Sequence, residues 1–173
     1  VIDDKHYIVV ANFVSKNSGS FVYNQNSIIY QYDPARAKNE AFKEFQSIPT
    51  IGGRVWEYMK IGGDKHYLMV ANYCGSFMQE HEQNSVIYKY DSATQQFENH
   101  QDDIATIGAT SIASFKIKDD NFFVISNYKD VESSAKQSQI YQYNSKNDRF
   151  EEMSGVQAIA SQNTDYWKYY TIG

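Results

Sequence analysis

Phe21, Tyr23, Phe77 and His81 fall in two polar stretches, "FVSKNSGSFVYNQN" (13–26) and "YCGSFMQEHEQN" (73–84), beside Asn24, Gln79 and Glu80. A third such stretch, "YKDVESSAKQ" (128–137), adds Asp130. Flat ring faces flanked by amides and carboxylates stack on a sugar ring and hydrogen-bond its hydroxyls, and they grip protein side chains by the same forces. The competing reading is that the aromatics only cover the ends of strands. Long polar connections on a rigid frame are common binding devices, so these eight residues form the candidate ligand-binding set.

Metal and catalytic chemistry find less support. His100 in "ENHQDD" stands beside Asp102 and Asp103, but no second His or Cys falls at ligand spacing. That stretch reads as a solvated strand edge. No G-x-S-x-G, H-E-x-x-H or phosphate-cradling glycine loop occurs. Carboxylates brought together from distant strands are the one catalytic arrangement that spacing alone leaves open. The expectation is a protein that is not an enzyme and uses no cofactor and no metal.

The net charge of -5 and the lack of a Lys/Arg-rich stripe argue against nucleic acid as a partner. No apolar run approaches the roughly 20 residues that cross a bilayer, so membrane insertion is not expected, and no secretion signal precedes the first strand. A chain beginning at Val1 fits a mature or trimmed product. The single cysteine, Cys74, rules out an internal disulfide framework. It reads either as a small semi-buried thiol or as half of a bridge between two chains.

The elements that must carry the polar stretches repeat. "HYIVVAN" (6–12) returns as "HYLMVAN" (66–72) and, altered, as "FFVISN" (122–127). "SIIYQYD" (27–33) returns as "SVIYKYD" (85–91) and "SQIYQYN" (138–144), and "VWEYMKI" (55–61) as "SIASFKI" (111–117) and "YWKYYTI" (166–172). A fourth family begins at Phe42, Phe97 and Phe150. Ile61 and Ile117 lie 56 residues apart, Ile117 and Ile172 lie 55 apart, and Ile2 lies 59 before Ile61. Each segment is short, β-branched or aromatic and bounded by turn formers, which indicates strands.

Four antiparallel strands per repeat, with no helical stretch, predict an all-β protein built of propeller blades. One domain of three repeats, about 1–61, 62–117 and 118–173, is expected. "SIPTIGG" (47–53) reads as a longer connection crossing from an outer strand to the next inner one. His6 and His66 share one repeated position, taken in the third copy by Phe122, which suggests packing; Asn12, Asn72 and Asn127 read as backbone ties at strand ends. Trp56 and Trp167 read as core. The chain enters on a second strand and leaves on a first strand, so residues 166–172 can complete the blade begun near Tyr7. Three blades are too few to close a ring. Two chains exchanging their C-terminal strands would close six under two-fold symmetry, so a homodimer is predicted; the alternative is a stretch of a longer chain.

The motifs "GGDKHYLMVANY", "NSVIYKYD", "F-x-x-F-Q-x-I-P-T-x-G" and "W-E-x-x-K-I" resemble the EAR repeat, also called the epitempin or EPTP repeat, found in the leucine-rich glioma-inactivated proteins and related extracellular proteins. The resemblance covers all three repeats. It implies a secreted, extracellular β-propeller that binds a partner and has no catalytic activity. In that family acidic residues beside the inner-strand Trp can line the channel and hold a cation. Here only Glu57 keeps that character, against Ala113 and Lys168, and one carboxylate is thin for the six to eight oxygens of calcium. The first expectation is a lectin-like protein presenting several loop-borne glycan sites, because repetition turns weak contacts into useful avidity. The second is a module that binds an extracellular protein.

Overall fold

The computed structural model describes residues 1–75, 80–128, 138–153 and 164–172. The β-branched and aromatic segments all form strands as far as Glu152. They are β1 (Tyr7–Val10), β2 (Ser15–Asn17), β3 (Ser20–Val22), β4 (Asn24–Tyr32), β5 (Phe42–Ile51), β6 (Gly53–Ile61) and β7 (Lys65–Asn72). They continue as β8 (Glu82–Asp91), β9 (Gln96–Ile107), β10 (Ala109–Ile117), β11 (Asp120–Asn127), β12 (Gln139–Asn144) and β13 (Arg149–Glu152). The one helical turn among the described residues is a 3-10 turn at Lys38–Glu40.

All pairing is antiparallel. A first sheet has the order β1-β4-β5, a second β6-β7-β8-β9 and a third β10-β11-β12-β13, while β2 and β3 form a separate hairpin. The expected four-stranded meander is therefore present twice in full. The turn after Ile61 uses Gly62 at φ 63, and its counterpart after Ile117 uses Lys118 at φ 55.

Two sequence expectations need correction. "SIPTIGG" is not a long crossover: β5 runs on through Pro49, which pairs opposite Asn26, and only Gly52 separates it from β6. Proline fits there because β5 is an edge strand of its sheet, where the missing N–H is not needed. Phe122 does not stand at the histidine position. His66 pairs with Lys60, and Asn121 pairs with Lys116, the matching residue of β10, so Phe122 corresponds to Tyr67. His66 is nonetheless buried, with Nδ1 2.7 Å from the Tyr58 hydroxyl. Burial, then the Lys60 charge, push its pKa down.

Two apolar seams join the sheets. One packs Ile29, Ile48 and Phe45 of the first sheet against Leu68, Tyr90 and Phe97 of the second. The other packs Tyr67, Met69 and Ile87 of the second against Phe123, Ile125 and Phe150 of the third. At the outer rim one device serves both. Gln46 exchanges two hydrogen bonds with the backbone of Phe97, at 2.7 and 2.8 Å, and Gln101 does the same with Phe150, at 2.9 and 3.0 Å. At the inner side, Glu57 accepts from the Ser114 amide at 3.0 Å and from its hydroxyl. The carboxylate that the family resemblance set beside the channel is thus tied to the next inner strand.

The far side of the first sheet is uncovered. Ile8 is 47 % exposed where its counterpart Leu68 is 5 %, and Phe42 is 48 % exposed where Phe97 is 4 %. A cleft of about 740 Å³ lined by His6, Tyr32 and Phe45 opens on the first sheet. β1 pairs with β4 alone among the described residues, and a groove of about 170 Å³ lined by Tyr7, Ile8, Val9 and Leu68 runs beside it. Within the protomer residues 166–172 do not fill that edge. They lie against the third sheet: the Trp167 amide donates to Ser111 Oγ at 3.1 Å, its indole N–H to Ser138 Oγ at 3.1 Å, and Tyr169 stacks on Phe115.

Candidate functional site

The connections between second and third strands and the corners between sheets share one face, and glycine builds that face. Gly52 adopts φ +57, and a Cβ there would stand 2.5 Å from the carbonyl oxygen of Cys74. Only glycine meets both demands. Its amide donates to Tyr23 O at 2.8 Å and its carbonyl accepts from Tyr73 N at 3.0 Å. Gly108 repeats the corner between His81 O and Tyr128 N at the same distances. Tyr23 and His81 thus occupy matching positions in consecutive sheets.

The repeated asparagines complete the frame. Asn72 Oδ1 accepts from Ile51 N at 3.3 Å and Asn127 Oδ1 from Ile107 N at 2.8 Å, while Asn72 donates to Asn84 O at 2.8 Å and Asn12 to Asn26 O at 2.7 Å. These are backbone ties where the ladders stop. The residue after each asparagine is aromatic: Phe13, Tyr73 and Tyr128. Ring centroids link Phe13 to Tyr23 at 5.4 Å and to Tyr73 at 5.9 Å, and Tyr73 to His81 at 5.0 Å and to Tyr128 at 6.3 Å.

Arg54 caps this row. Its guanidinium carbon lies 4.7 Å from the Phe13 centroid and 4.5 Å from that of Tyr73. Burial pushes the Tyr73 phenol up, with Arg54 pulling the other way, and it pushes the Cys74 thiol up as well. Cys74 is fully buried, which makes it packing and leaves no sulfur surface for a bridge to another chain.

The candidate binding residues divide on this face. Phe21 stands out from the β2–β3 hairpin, 62 % exposed, and Asn24 and Glu80 are exposed. Tyr23 and His81 are buried in the aromatic row, with His81 Nδ1 3.4 Å from Tyr73 O. Phe77, Gln79 and Asp130 lie outside the described residues. The structure brings Tyr23 and His81 together with four residues that the sequence reading passed over: Phe13, Arg54, Tyr73 and Tyr128. A signal for three of them was the aromatic after each asparagine. The signal for Arg54 was a cation facing Thr110 and Asp165 at the matching positions.

The EPTP domain matches residues 41–91 and 96–144, together more than half of the chain. The chain belongs to the EPTP family. A human protein, "Thrombospondin-type laminin G domain and EAR repeat-containing protein", is 34 % identical over 140 residues, covering 81 % of this chain and 19 % of that protein. The mouse protein of the same description is 28 % identical over 147 residues, covering 85 % of this chain and 20 % of its own length. The chain thus spans about a fifth of the length of these curated relatives.

A second polar cluster in this EPTP chain joins the second and third sheets. The Asp148 carboxylate accepts from Lys65 at 2.8 Å, Lys89 at 2.6 Å, Tyr67 at 2.8 Å and the Tyr143 hydroxyl. His100 Nε2 donates to the Asp148 carbonyl at 2.6 Å. Burial alone would raise the Asp148 carboxyl, but these donors outweigh it and hold it well below the usual carboxylate range. The same bonds hold the Lys65 ammonium above the usual lysine range. Every polar group in the cluster is engaged by another, so it works as a clasp between sheets. Among the described residues no group of three or more His, Cys, Asp or Glu could hold a metal, and no helix is long and apolar enough to cross a membrane.

Proposed function

We propose that this EPTP chain is a non-enzymatic extracellular recognition protein whose loop face binds glycans. The observation that carries the reading is the pair of half-buried rings Phe13 and Tyr128, packed about the buried Tyr23, Tyr73 and His81 and flanked by the exposed Phe21, Asn24 and Glu80. Rigid rings beside polar groups bind a sugar at low cost in side-chain ordering. Phe77, Gln79 and Asp130 belong to the same proposed surface by their place in the chain. The extracellular setting rests on the family and on the thrombospondin-type laminin G description of its relatives.

The three repeats, about 1–61, 62–117 and 118–173, form one domain of propeller blades in this reading. Residues 164–172 follow the third sheet as β10 follows the second, while β1 has no inner neighbour among the described residues. A second copy offering its C-terminal strand to the groove beside β1 would answer both needs and close a six-bladed homodimeric ring.

A glycan array with the purified chain tests the ligand class, and binding to a defined set of sugars is expected. Uniform silence there, with capture of an extracellular protein through the same face, would replace the glycan by a protein partner, the reading favoured by the exposed Phe21. Light scattering tests assembly: a two-chain mass is expected, and a monodisperse one-chain mass would overturn the ring.

A further inference from the structure

Arg54 interrupts the repeat. At the matching place Thr110 turns its hydroxyl inward, to Ser126 Oγ at 2.7 Å and to Thr164 O at 3.0 Å. Arg54 does the reverse. It is exposed, lies across two ring faces and makes no ion pair with any described carboxylate. A guanidinium has five N–H donors: Arg54 shares a side-chain hydrogen bond with the Tyr73 phenol, and the ring faces attract the charge without accepting the remaining hydrogens, which stay at the rim. Phe13 is braced by Tyr23 and Tyr73 by His81, so the fork is fixed before any ligand arrives. The partner that fits a fixed fork is a carboxylate, which takes two parallel hydrogen bonds from one guanidinium.

We propose that Arg54, seated on Phe13 and Tyr73, anchors a carboxylate-bearing sugar, a uronic or sialic acid. This deepens the glycan reading above and rests on it. Charge separates an acid sugar from an acidic peptide. The chain carries a net -5, and segments 13–26, 47–54, 73–84, 102–110 and 128–137 contain Lys16, Arg54, Lys129 and Lys136 as cations, against Glu80, Glu82, Asp102, Asp103, Asp130 and Glu132. That field repels a polyanionic segment. One carboxylate on an otherwise neutral ring needs one fixed guanidinium and leaves the apolar face of the ring for neighbouring aromatics.

The test is calorimetric titration of the whole chain with methyl β-D-glucuronide and sialyllactose, beside their neutral counterparts methyl β-D-glucoside and lactose. At least one acid sugar should bind about tenfold or more tighter than its neutral counterpart. Arg54→Ala should erase that preference, and Arg54→Lys, which keeps the charge without the fork, should recover only part of it. Melting temperatures of both variants report whether the fold is retained. Equal binding of acid and neutral sugars, or a preference unchanged in Arg54→Ala, would overturn the anchor and leave the glycan reading standing. Arg54-dependent binding of a glutamate-containing peptide, with none of any sugar, would overturn both.

Discussion

The seam between the first and second sheets and the seam between the second and third are built on one template, yet they solve the same burial problem with different chemistry. In the second seam Lys65, Tyr67, Lys89 and His100 surround Asp148. The matching positions in the first seam hold Lys5, Tyr7, Gln31 and Phe45, with Gln95 in the place of Asp148. Tyr7 there meets Phe45 edge-on at 5.0 Å, and burial pushes its phenol up to about 12. The ionic clasp spans two sheets, whereas the Tyr7–Phe45 contact stays within the first sheet and leaves that seam to apolar packing. The repeat therefore specifies the wedge of space between sheets and leaves its filling free.

The largest break in this comparison should come from Asp148→Ala, which strands two partly buried lysines. A loss of about 2–3 kcal/mol is expected in urea unfolding, against under about 0.5 kcal/mol for the matching Gln95→Ala, an exposed residue. Equal losses would mean that the clasp adds nothing beyond packing. The rim amides should instead behave alike. Gln46→Ala and Gln101→Ala should each cost about 1–2 kcal/mol by leaving one backbone N–H and one C=O unpaired, and a two-fold disparity in urea midpoint shifts would show that the seams differ at the rim too.

Acid should separate the seams further. The folded Asp148 carboxyl lies below its ordinary value of 3.8, so its stabilisation is full above that value and is lost as pH falls toward the folded one. Melting temperatures followed from pH 6 down to about 2 should fall less steeply in Asp148→Asn than in the unaltered chain, and parallel curves would remove Asp148 as the cause. The smallest effect belongs to the two tryptophans. Trp56 Nε1 is buried with no acceptor among the described residues, whereas Trp167 Nε1 reaches Ser138 Oγ. Trp56→Phe should change stability by under about 1 kcal/mol, and Trp167→Phe should cost somewhat more. The reverse order in thermal melts would contradict the hydrogen-bond assignment.

Strand positions up to Glu152 were legible in the sequence because each repeat spells them in β-branched and aromatic residues, and the sheet order followed from their succession; residues 166–172, spelled the same way, form no strand. The phase of the third copy was misread because the aromatic pair Phe122–Phe123 is a weaker landmark than Asn127, whose side chain ties the strand end to Ile107. Pro49 and Gly53 looked like loop residues, but an edge strand accepts proline and a tight corner needs glycine only at Gly52. The loop face with its aromatic row was half legible. Loop length and aromatic content pointed to it, while the burial of Tyr23 and His81 depends on Tyr73, which packs against both from the end of β7. The Asp148 clasp was hidden for the same reason: its donors come from residues 48 to 83 positions away as well as from neighbouring Tyr143.

The amide of Gln101 at the rim and the carboxylate of Glu57 near the inner strands tie the same two sheets at opposite ends. Fastened at both ends, the second and third sheets are held against fanning open or folding shut. The angle between the second and third sheets is thereby set locally, by side chains of those two sheets alone.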